Sequence, residues 1–68
     1  MSNKKRIIAY QNGRPVGYVK SVSYKKGTFT LTQDKAFAKT YSRDEKIMGD
    51  IDIISFEGLK NGMSFIMD

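Results

Sequence analysis

Charged side chains are the most informative residues of this 68-residue chain, because the acidic ones are confined to its second half. Residues 1–33 hold seven lysines and arginines and no Asp or Glu, whereas residues 34–68 hold five basic and seven acidic side chains. The halves therefore contribute +7 and −2 to the net charge of +5. Such polarity predicts contact between the basic half and a negatively charged partner. The candidate partner-binding residues are Lys4, Lys5, Arg6, Arg14, Lys20, Lys25 and Lys26.

The residue types on which most enzyme mechanisms depend are missing. The chain has no His and no Cys, which removes the commonest general base, the thiolate nucleophile and the usual zinc ligands together. Asp50 and Asp52 form one candidate carboxylate pair. On a helix, residues two apart point in different directions, whereas on a strand they would face the same way. We interpret both as solvated acidic side chains and expect no enzyme, no cofactor and no metal ion.

Length and composition favour a single small domain spanning residues 1–68. With neither disulfides nor a metal to reinforce a small core, stability must come from compact packing or from another chain, so a homodimer is possible. The basic residues 4–6 resemble the start of a signal peptide, but the apolar run that follows is too short. No segment reaches the roughly 20 apolar residues of a membrane span. We expect a soluble cytoplasmic protein with a flexible basic tail at residues 1–5.

Alternation and turn residues in the first half predict an antiparallel meander of three strands. Arg6–Gln11 is a short apolar-rich run that ends at the Asn12-Gly13-Arg14-Pro15 turn. Val16–Tyr24 then alternates, and a turn at Lys25-Lys26-Gly27 leads into the alternating Thr28–Thr32. If the hairpin tips and the N-terminal arm converge in the fold, their cations form one positive patch.

The two faces of this predicted sheet differ in polarity. The more apolar face of the second strand is expected to lie against a helix, with the tyrosine hydroxyls reaching the edge of that helix. This face carries Val16, Tyr18, Val22 and Tyr24, together with Lys20. The open face is expected to be polar and poor in anchoring side chains. It carries Gly17, Ser21, Ser23, Thr28, Thr30 and Thr32.

Helical signals begin after residue 32. Thr32-Gln33-Asp34 resembles an N-cap cluster. A short helical turn then suits Ala36, Phe37, Ala38 and Tyr41. Ser42-Arg43-Asp44-Glu45 matches the capping box, in which the Ser and Glu side chains each accept a hydrogen bond from the other residue's backbone amide. The sequence therefore predicts a helix that begins close to residue 43.

Residues 44–58 can be interpreted in two ways. Apolar residues at spacings of three and four favour a helix. Gly49 and three isoleucines have low helix propensity, and they allow a hairpin in which Ile51–Glu57 pairs with Met63–Met67 around Asn61-Gly62. We favour the helix because a start signal precedes it. Under either interpretation Met63–Met67 is a terminal strand.

The predicted fold is α+β, with an antiparallel meander of three strands, a short helical turn, one helix packed on the sheet and a C-terminal strand. Its hydrophobic core is expected to combine one face of the sheet with the apolar stripe of the helix. The expected core residues are Ile8, Val16, Tyr18, Val22, Phe29, Leu31, Phe37, Ile47, Ile51, Ile54, Leu59, Phe65 and Met67.

The order and spacing of these features resemble a recurrent kind of small protein from phages and prophages of Gram-positive bacteria. The shared outline is a Tyr-x-x-x-Gly hairpin, a strand ending in Leu-Thr, an Asp-Lys-x-x-Ala-Lys segment, a Ser-capped helix and a Gly-started strand. The matching residues are Tyr10 to Tyr18, Leu31-Thr32, Asp34-Lys35 with Ala38-Lys39, Tyr41-Ser42, and Gly62 to Met67. The resemblance implies a phage or prophage origin and this fold, and it carries no catalytic residue.

Three functions remain compatible with the sequence. The first is a small non-enzymatic binding protein whose basic N-terminal half contacts an acidic host protein. The second is a nucleic-acid-binding module with a salt-dependent affinity, and the third is a structural domain that only dimerises. Lys26–Thr32 resembles the basic-Gly-aromatic strand of RNA-recognition and cold-shock domains, but threonines flank its single ring, Phe29, which we assign to the core. We favour the acidic protein partner.

Overall fold

The computed structural model describes residues 4–67 and confirms the α+β class. Four strands form an antiparallel sheet in the order β3-β2-β1-β4, and one helix packs on one of its faces. The elements are β1 (Ile7–Gln11), β2 (Arg14–Ser23), β3 (Thr28–Thr32), a 3-10 turn (Lys35–Phe37), α1 (Asp44–Lys60) and β4 (Met63–Met67). The predicted meander, helical turn, helix and final strand therefore all occur in the expected order.

The turn between β1 and β2 forms as its sequence predicts. Asn12 and Gly13 have positive φ angles of 53° and 83°, which is the combination that a tight two-residue hairpin turn requires. β4 pairs with the other edge of β1, with Ile7 opposite Met67 and Gln11 opposite Met63 in the antiparallel register. As a result β1 is a central strand, with hydrogen-bonded neighbours on both sides.

Residues 44–58 are helical, which resolves the ambiguity between helix and hairpin. Ile47 and Ile54 are completely buried, so packing of the apolar stripe outweighs the low helix propensity of the glycine and β-branched residues. Gly58 lies so close to Phe65 of β4 that a Cβ at this position would stand 2.5 Å from the ring. The glycine that weakens the helix as an isolated segment thus permits its close contact with the sheet.

One predicted cap is confirmed and the other is wrong. The Asp34 side chain accepts a hydrogen bond of 2.9 Å from the Ala36 amide and caps the 3-10 turn. At the start of α1, however, the N-cap residue is Arg43, and it makes no side-chain capping bond. Ser42 therefore lies one residue too early to exchange hydrogen bonds with Glu45 as a capping box requires.

Two irregularities interrupt the alternation of β2. Val16 is left between the pairs Ala9–Gly17 and Tyr10–Pro15, and Lys20 is left between the pairs Val19–Leu31 and Ser21–Thr30. An extra residue in one strand shifts the inside–outside alternation by one position. At Gly17 the φ angle is 147°, and a Cβ would stand 2.8 Å from the Thr32 carbonyl oxygen, so a side chain is excluded there.

The first of these β-bulges overturns the predicted assignment of faces at Gly17 and Tyr18, and the second restores it from Ser21 onward. Val19 is completely buried on the helix side, whereas its neighbour Tyr18 is on the open side. Beyond the second bulge Val22 returns to the helix side and packs against the core. The Tyr24 hydroxyl reaches α1, as predicted, although 59% of this residue is exposed. Uniform alternation from Val16 to Tyr24 was wrong because it assumed no extra residue.

The core is smaller than predicted and partly different. Four of its side chains, Ile7, Val19, Ile47 and Ile54, are completely buried, and Val22, Phe29, Ile51 and Phe65 pack against them as expected. Ile8, Val16 and Tyr18 are half-buried outside this cluster. The prediction was wrong for the exposed Leu31, Phe37, Leu59 and Met67. It also missed the buried Ile7, Ala9, Val19, Ala38 and Tyr41.

An irregular segment, residues 38–41, joins the sheet where β1 and β2 separate. The Lys39 amide donates a hydrogen bond of 3.0 Å to the Val19 carbonyl, and Tyr41 and Lys5 exchange two backbone hydrogen bonds of 2.8 Å. The Lys5 side chain also pairs with Asp44 at 2.8 Å. The predicted flexible tail therefore does not extend to Lys5, and residues 1–3 of that prediction lie outside the described residues.

Candidate functional site

A polar cluster lies between the start of α1 and the end of β2. Asp50, which is only 5% exposed, accepts hydrogen bonds at Oδ2 from the Tyr24 hydroxyl and the Lys39 ammonium, both at 3.1 Å, and from the Tyr41 hydroxyl. Lys39 also donates to the Tyr24 hydroxyl at 2.9 Å, and its Nζ lies 5.1 Å from the centroid of each tyrosine ring. We call these four residues the Asp50 cluster.

The environment of the Asp50 cluster fixes the charges of Asp50, Lys39 and Tyr41. Burial alone would raise the pKa of Asp50, but hydrogen bonds from Tyr41, Lys39 and Tyr24 hold this pKa below its ordinary value. Burial would lower the pKa of Lys39, yet its bonds to Tyr24 and Asp50 leave this pKa raised. Burial and the adjacent Asp50 carboxylate raise the pKa of Tyr41 far above its ordinary value. Near neutral pH the cluster thus holds a carboxylate, an ammonium group and a neutral phenol.

These charge states favour a structural role for the cluster over a catalytic one. A general acid or base works best when its pKa lies near the operating pH, and the three shifted groups are all moved away from neutrality. The adjoining depression of about 200 Å³ is also lined by Thr40, Ser42 and Lys46. Because the cluster joins α1, β2 and the segment 38–41, its ion pair and hydrogen bonds connect the two layers.

Sequence reasoning misplaced Asp50 by treating it as a solvated carboxylate. Asp50 stands three residues after Ile47 and four before Ile54, so it occupies the stripe of α1 that faces the sheet. Asp52 does not share this position and is exposed. The spacing within the stripe was the available signal for Asp50, whereas its partners Lys39 and Tyr41 are brought to it only by the tertiary fold.

The seven predicted partner-binding cations do not meet in one patch. Arg14 begins the ten-residue strand β2, whereas Lys25 and Lys26 follow its other end. At about 3.3 Å per residue these positions are roughly 30 Å apart. Arg14 is therefore far from the other hairpin tip, and the predicted single positive patch does not form there.

The same cations differ in whether a carboxylate accompanies them. Lys5 pairs with Asp44, and the Nε atom of Arg6 is buried without a hydrogen-bond partner among residues 4–67. Lys4 is exposed and directly precedes Lys5. Within the described part of the chain, four further cations of this predicted set have no carboxylate at ion-pair distance. These are Arg14, Lys20, Lys25 and Lys26.

The open face of the sheet is apolar and aromatic at its centre. Ile66, Ile8, Tyr18 and Thr32 are cross-strand neighbours, one from each strand in the order β4-β1-β2-β3. Ile66 is 46% exposed, and Ile8 and Tyr18 are half-buried. Tyr10 lies on the same face, two residues along β1. We call Ile8, Tyr10, Tyr18 and Ile66 the sheet patch; its presence shows that the prediction of a face poor in anchoring side chains was wrong.

The hydroxyl-bearing part of the open face agrees with the sequence prediction except at Gly17. Ser21 pairs with Thr30, and their side-chain oxygens are 2.6 Å apart. Ser23 and Thr28 form the next open-face pair, since the intervening pair Val22–Phe29 packs against the core. Gly17 is opposite Ala9, which is buried on the helix side. Polar hydroxyls therefore extend from the sheet patch toward β3.

Charge is separated between the two layers of the molecule. None of the four strands contains Asp or Glu, and Arg14 and Lys20 are their only charged residues. α1 contains five acidic and two basic side chains. The polarity between the halves of the sequence has become a polarity between sheet and helix, and it leaves the sheet patch without a neighbouring carboxylate on its strands.

Other features of residues 4–67 add no chemistry to these two regions. A shallow depression of about 480 Å³ is lined by Pro15, Val16, Gly17 and Gln33, none of which ionises. In the described part of the chain, no three carboxylates come together to form a potential metal site. Among the same residues no helix has the length and hydropathy needed to cross a membrane.

Comparison of the chain with protein-family models, curated proteins and solved structures found no match in any of the three.

Proposed function

We propose that this protein is a non-enzymatic binding module whose open sheet face contacts an acidic protein. The observation that carries this proposal is the sheet patch, an apolar and aromatic surface on strands whose only charged side chains are basic. Tyrosines and aliphatic side chains at the centre with cations at the margin are typical of protein-binding surfaces. Lys20, which is exposed at the second bulge of β2, lacks a carboxylate partner among residues 4–67, so it can pair with a partner's acidic groups.

The binding energy is expected to come from the sheet patch and the partner preference from the cations. Tyrosine gives a large contact area while only two of its torsions become fixed on binding. Neither the Tyr10 nor the Tyr18 hydroxyl makes a hydrogen bond within residues 4–67, so both can bond to a partner. Exposed charges at the margin of an interface mainly increase the rate of association with an oppositely charged surface.

A nucleic-acid partner is the second candidate, favoured by one specific observation. Tyr10 and Tyr18 lie on the two central strands of the open face, where aromatic rings could stack on the bases of a single strand. The aliphatic residues Ile8 and Ile66 between and beside these rings have no comparable role in stacking, and they favour the protein partner. The resemblance to phage and prophage proteins further suggests that this partner is a host protein.

The proposal can be tested by affinity capture from a lysate of a Gram-positive bacterium, with and without nuclease at two salt concentrations. We expect one discrete acidic protein that survives nuclease treatment. Lys20→Glu should reduce its recovery by about tenfold because the substitution reverses charge at the margin of the sheet patch. Tyr18→Ala should reduce recovery by a similar or larger factor because it removes a central contact.

The matched control is Lys46→Glu, since Lys46 is also exposed and has no ion-pair partner in residues 4–67 but lies on α1. Recovery with this variant should equal that of the wild type, and thermal melting of all variants checks that they remain folded. Recovery that nuclease abolishes would replace the proposal with nucleic-acid binding. Recovery that neither Tyr18→Ala nor Lys20→Glu reduces would exclude the sheet patch as the binding surface.

A further inference from the structure

The face of α1 directed away from the sheet carries three large exposed apolar side chains. Met48 is 52% exposed, Phe56 72% and Leu59 74%. At about 100° per residue, these three residues lie within about 80° of one another around the helix axis. The core-facing residues Ile47 and Ile54 are on the opposite side. Exposed apolar side chains on one helical face are typical of an interaction surface, and we call Met48, Phe56 and Leu59 the helix patch.

Opposite charges stand at the two ends of this helix face. Glu45 lies in the first turn of α1 and Lys60 in the last, and both share the face with the helix patch by the same helical spacing. The Lys60 Nζ is 4.9 Å from the centroid of the Phe56 ring. Gly49 is also on this face, and apart from its two chain neighbours and the backbone of its own helix, no atom among residues 4–67 would lie within 4 Å of a Cβ there. The face thus has an acidic start, a gap at the glycine and a basic end.

We propose that the helix patch binds a second copy of this chain, with the two α1 helices antiparallel about a two-fold axis. In this arrangement each Glu45 faces Lys60 of the second copy, and the helix dipoles oppose one another. A parallel pair would instead place like charges together at both ends. Association would also cover the helix patch, which contributes nothing to the core of the single chain.

One register satisfies both the charges and the shape of this face. Glu45 and Gly49 are four residues apart, as are Phe56 and Lys60, so the register that pairs Glu45 with Lys60 also places Phe56 opposite Gly49. The large ring therefore meets the gap that the glycine leaves in the second copy. In this register the axis passes beside Asp52, so the two Asp52 carboxylates approach each other and weaken the dimer.

The surface for self-association is separate from the sheet patch. The helix patch lies on one side of the molecule and the sheet patch on the other, because the core lies between α1 and the sheet. A dimer formed through α1 would leave two sheet patches exposed, whatever they bind. The inference therefore does not depend on the proposed function, and either can fail alone.

Sedimentation velocity over a range of about 10 µM to about 1 mM tests for the dimer, since an interface of one helix pair is small and weak. We expect a concentration-dependent equilibrium between monomer and dimer. Phe56→Glu should weaken association by about 30-fold or more because it introduces charge at the centre of the contact. The matched control Phe37→Glu changes an equally large side chain, 64% exposed but outside α1, and should leave association unchanged.

Substitutions of Asp52, and of the pair Glu45 and Lys60, test the register of the two helices. Asp52→Asn should strengthen the dimer several-fold by removing the repulsion at the axis. Glu45→Lys and Lys60→Glu should each weaken it, and the double variant should recover most of the loss. Because the chain has no cysteine, oxidation of Asp52→Cys should link two copies, whereas Glu45→Cys should not, since only residues beside the axis approach within disulfide distance.

Several outcomes would overturn the inference. A wild-type protein that remains monomeric at the highest concentration has no such interface. Equal weakening by Phe56→Glu and Phe37→Glu would exclude the helix patch, and efficient linkage of Glu45→Cys would indicate parallel helices. Species larger than a dimer would indicate that the acidic helix layer binds the basic sheet layer of another copy, which generates an open chain of molecules rather than a closed pair.

Discussion

The Asp50 cluster and the open sheet face use similar residue types in opposite ways. In the cluster, the Lys39 ammonium and the Tyr24 and Tyr41 hydroxyls all bond to one carboxylate that is 5% exposed. In β2, the exposed Lys20 has no carboxylate partner among residues 4–67, and the Tyr18 hydroxyl on the open face makes no hydrogen bond there. The cluster satisfies its polar groups internally, whereas the face leaves them available.

This difference indicates which polar groups stabilise the fold and which ones can bind. A buried charge is tolerated only when it is paired and hydrogen-bonded, so the loss of one partner in the cluster is costly. An exposed and unpaired lysine or tyrosine contributes little to stability, because water already solvates it. Substitutions in the two regions should therefore separate stability from binding.

The largest expected effect belongs to Asp50. Asp50→Asn should lower the free energy of unfolding by about 3 kcal/mol, because it leaves the Lys39 ammonium partly buried without its carboxylate. Urea denaturation at low protein concentration measures the loss. The matched control is Asp52→Asn, an exposed carboxylate two residues away on the same helix, which should change stability by no more than about 0.5 kcal/mol. Equal losses from both variants would contradict a stabilising role for the Asp50 cluster.

Acid should also destabilise the fold by protonating Asp50. The loss of stability should be smaller than the loss caused by Asp50→Asn. The pKa of Asp50 is lower in the fold than its ordinary value, so its contribution is present above the ordinary carboxyl pKa and is lost as pH falls through the lower folded-state pKa. The wild type should therefore lose stability in acid, and Asp50→Asn should show a flatter acid dependence. Denaturation curves between about pH 2 and about pH 7 would check this.

At alkaline pH the stability of the fold should fall as pH rises, and the residues responsible are different. The pKa values of Lys39 and Tyr41 are both raised in the fold, so their contributions are complete below their ordinary pKa values and are lost as pH rises through the folded-state values. Between the acid and alkaline limits the cluster should contribute a constant stability. A steep change near neutral pH that disappears in Asp50→Asn would contradict these charge states.

The smallest expected effect is the difference in stability between variants that lack one of two tyrosine hydroxyls. Tyr41→Phe should lower the free energy of unfolding by about 1 to 2 kcal/mol, because it removes a buried hydrogen bond to a charged group. Tyr18→Phe should change it by less than about 0.5 kcal/mol. Thermal or urea denaturation of the two variants makes the comparison. A larger loss for Tyr18→Phe would mean that the open face, and not the Asp50 cluster, contains the stabilising hydroxyl.

Local signals predicted the elements of this fold well and their faces poorly. The Asn12-Gly13 turn and the Asp34 cap each depend on one or two neighbouring residues, and both form as predicted. Assigning faces along β2 required knowing where an extra residue interrupts the pairing, at Val16 and at Lys20. That position depends on the register with β1 and β3, which no single strand specifies. Tyr18 was therefore assigned to the wrong face, and the buried Val19 was missed.

The sequence alone predicted the strands in their order along the chain and the separation of charge between the halves, because turns, alternation and composition are local properties. It favoured a helix over a hairpin for residues 44–58, and the burial of Ile47 and Ile54 against the sheet resolved that choice. Only the tertiary structure decided that Asp50, Lys39 and the two tyrosines meet, since these groups come from segments with no local relation. It also decided that the basic half forms three strands of one sheet while the acidic half supplies the helix above it. The pairing of distant segments converts a charge difference along the chain into one across the molecule.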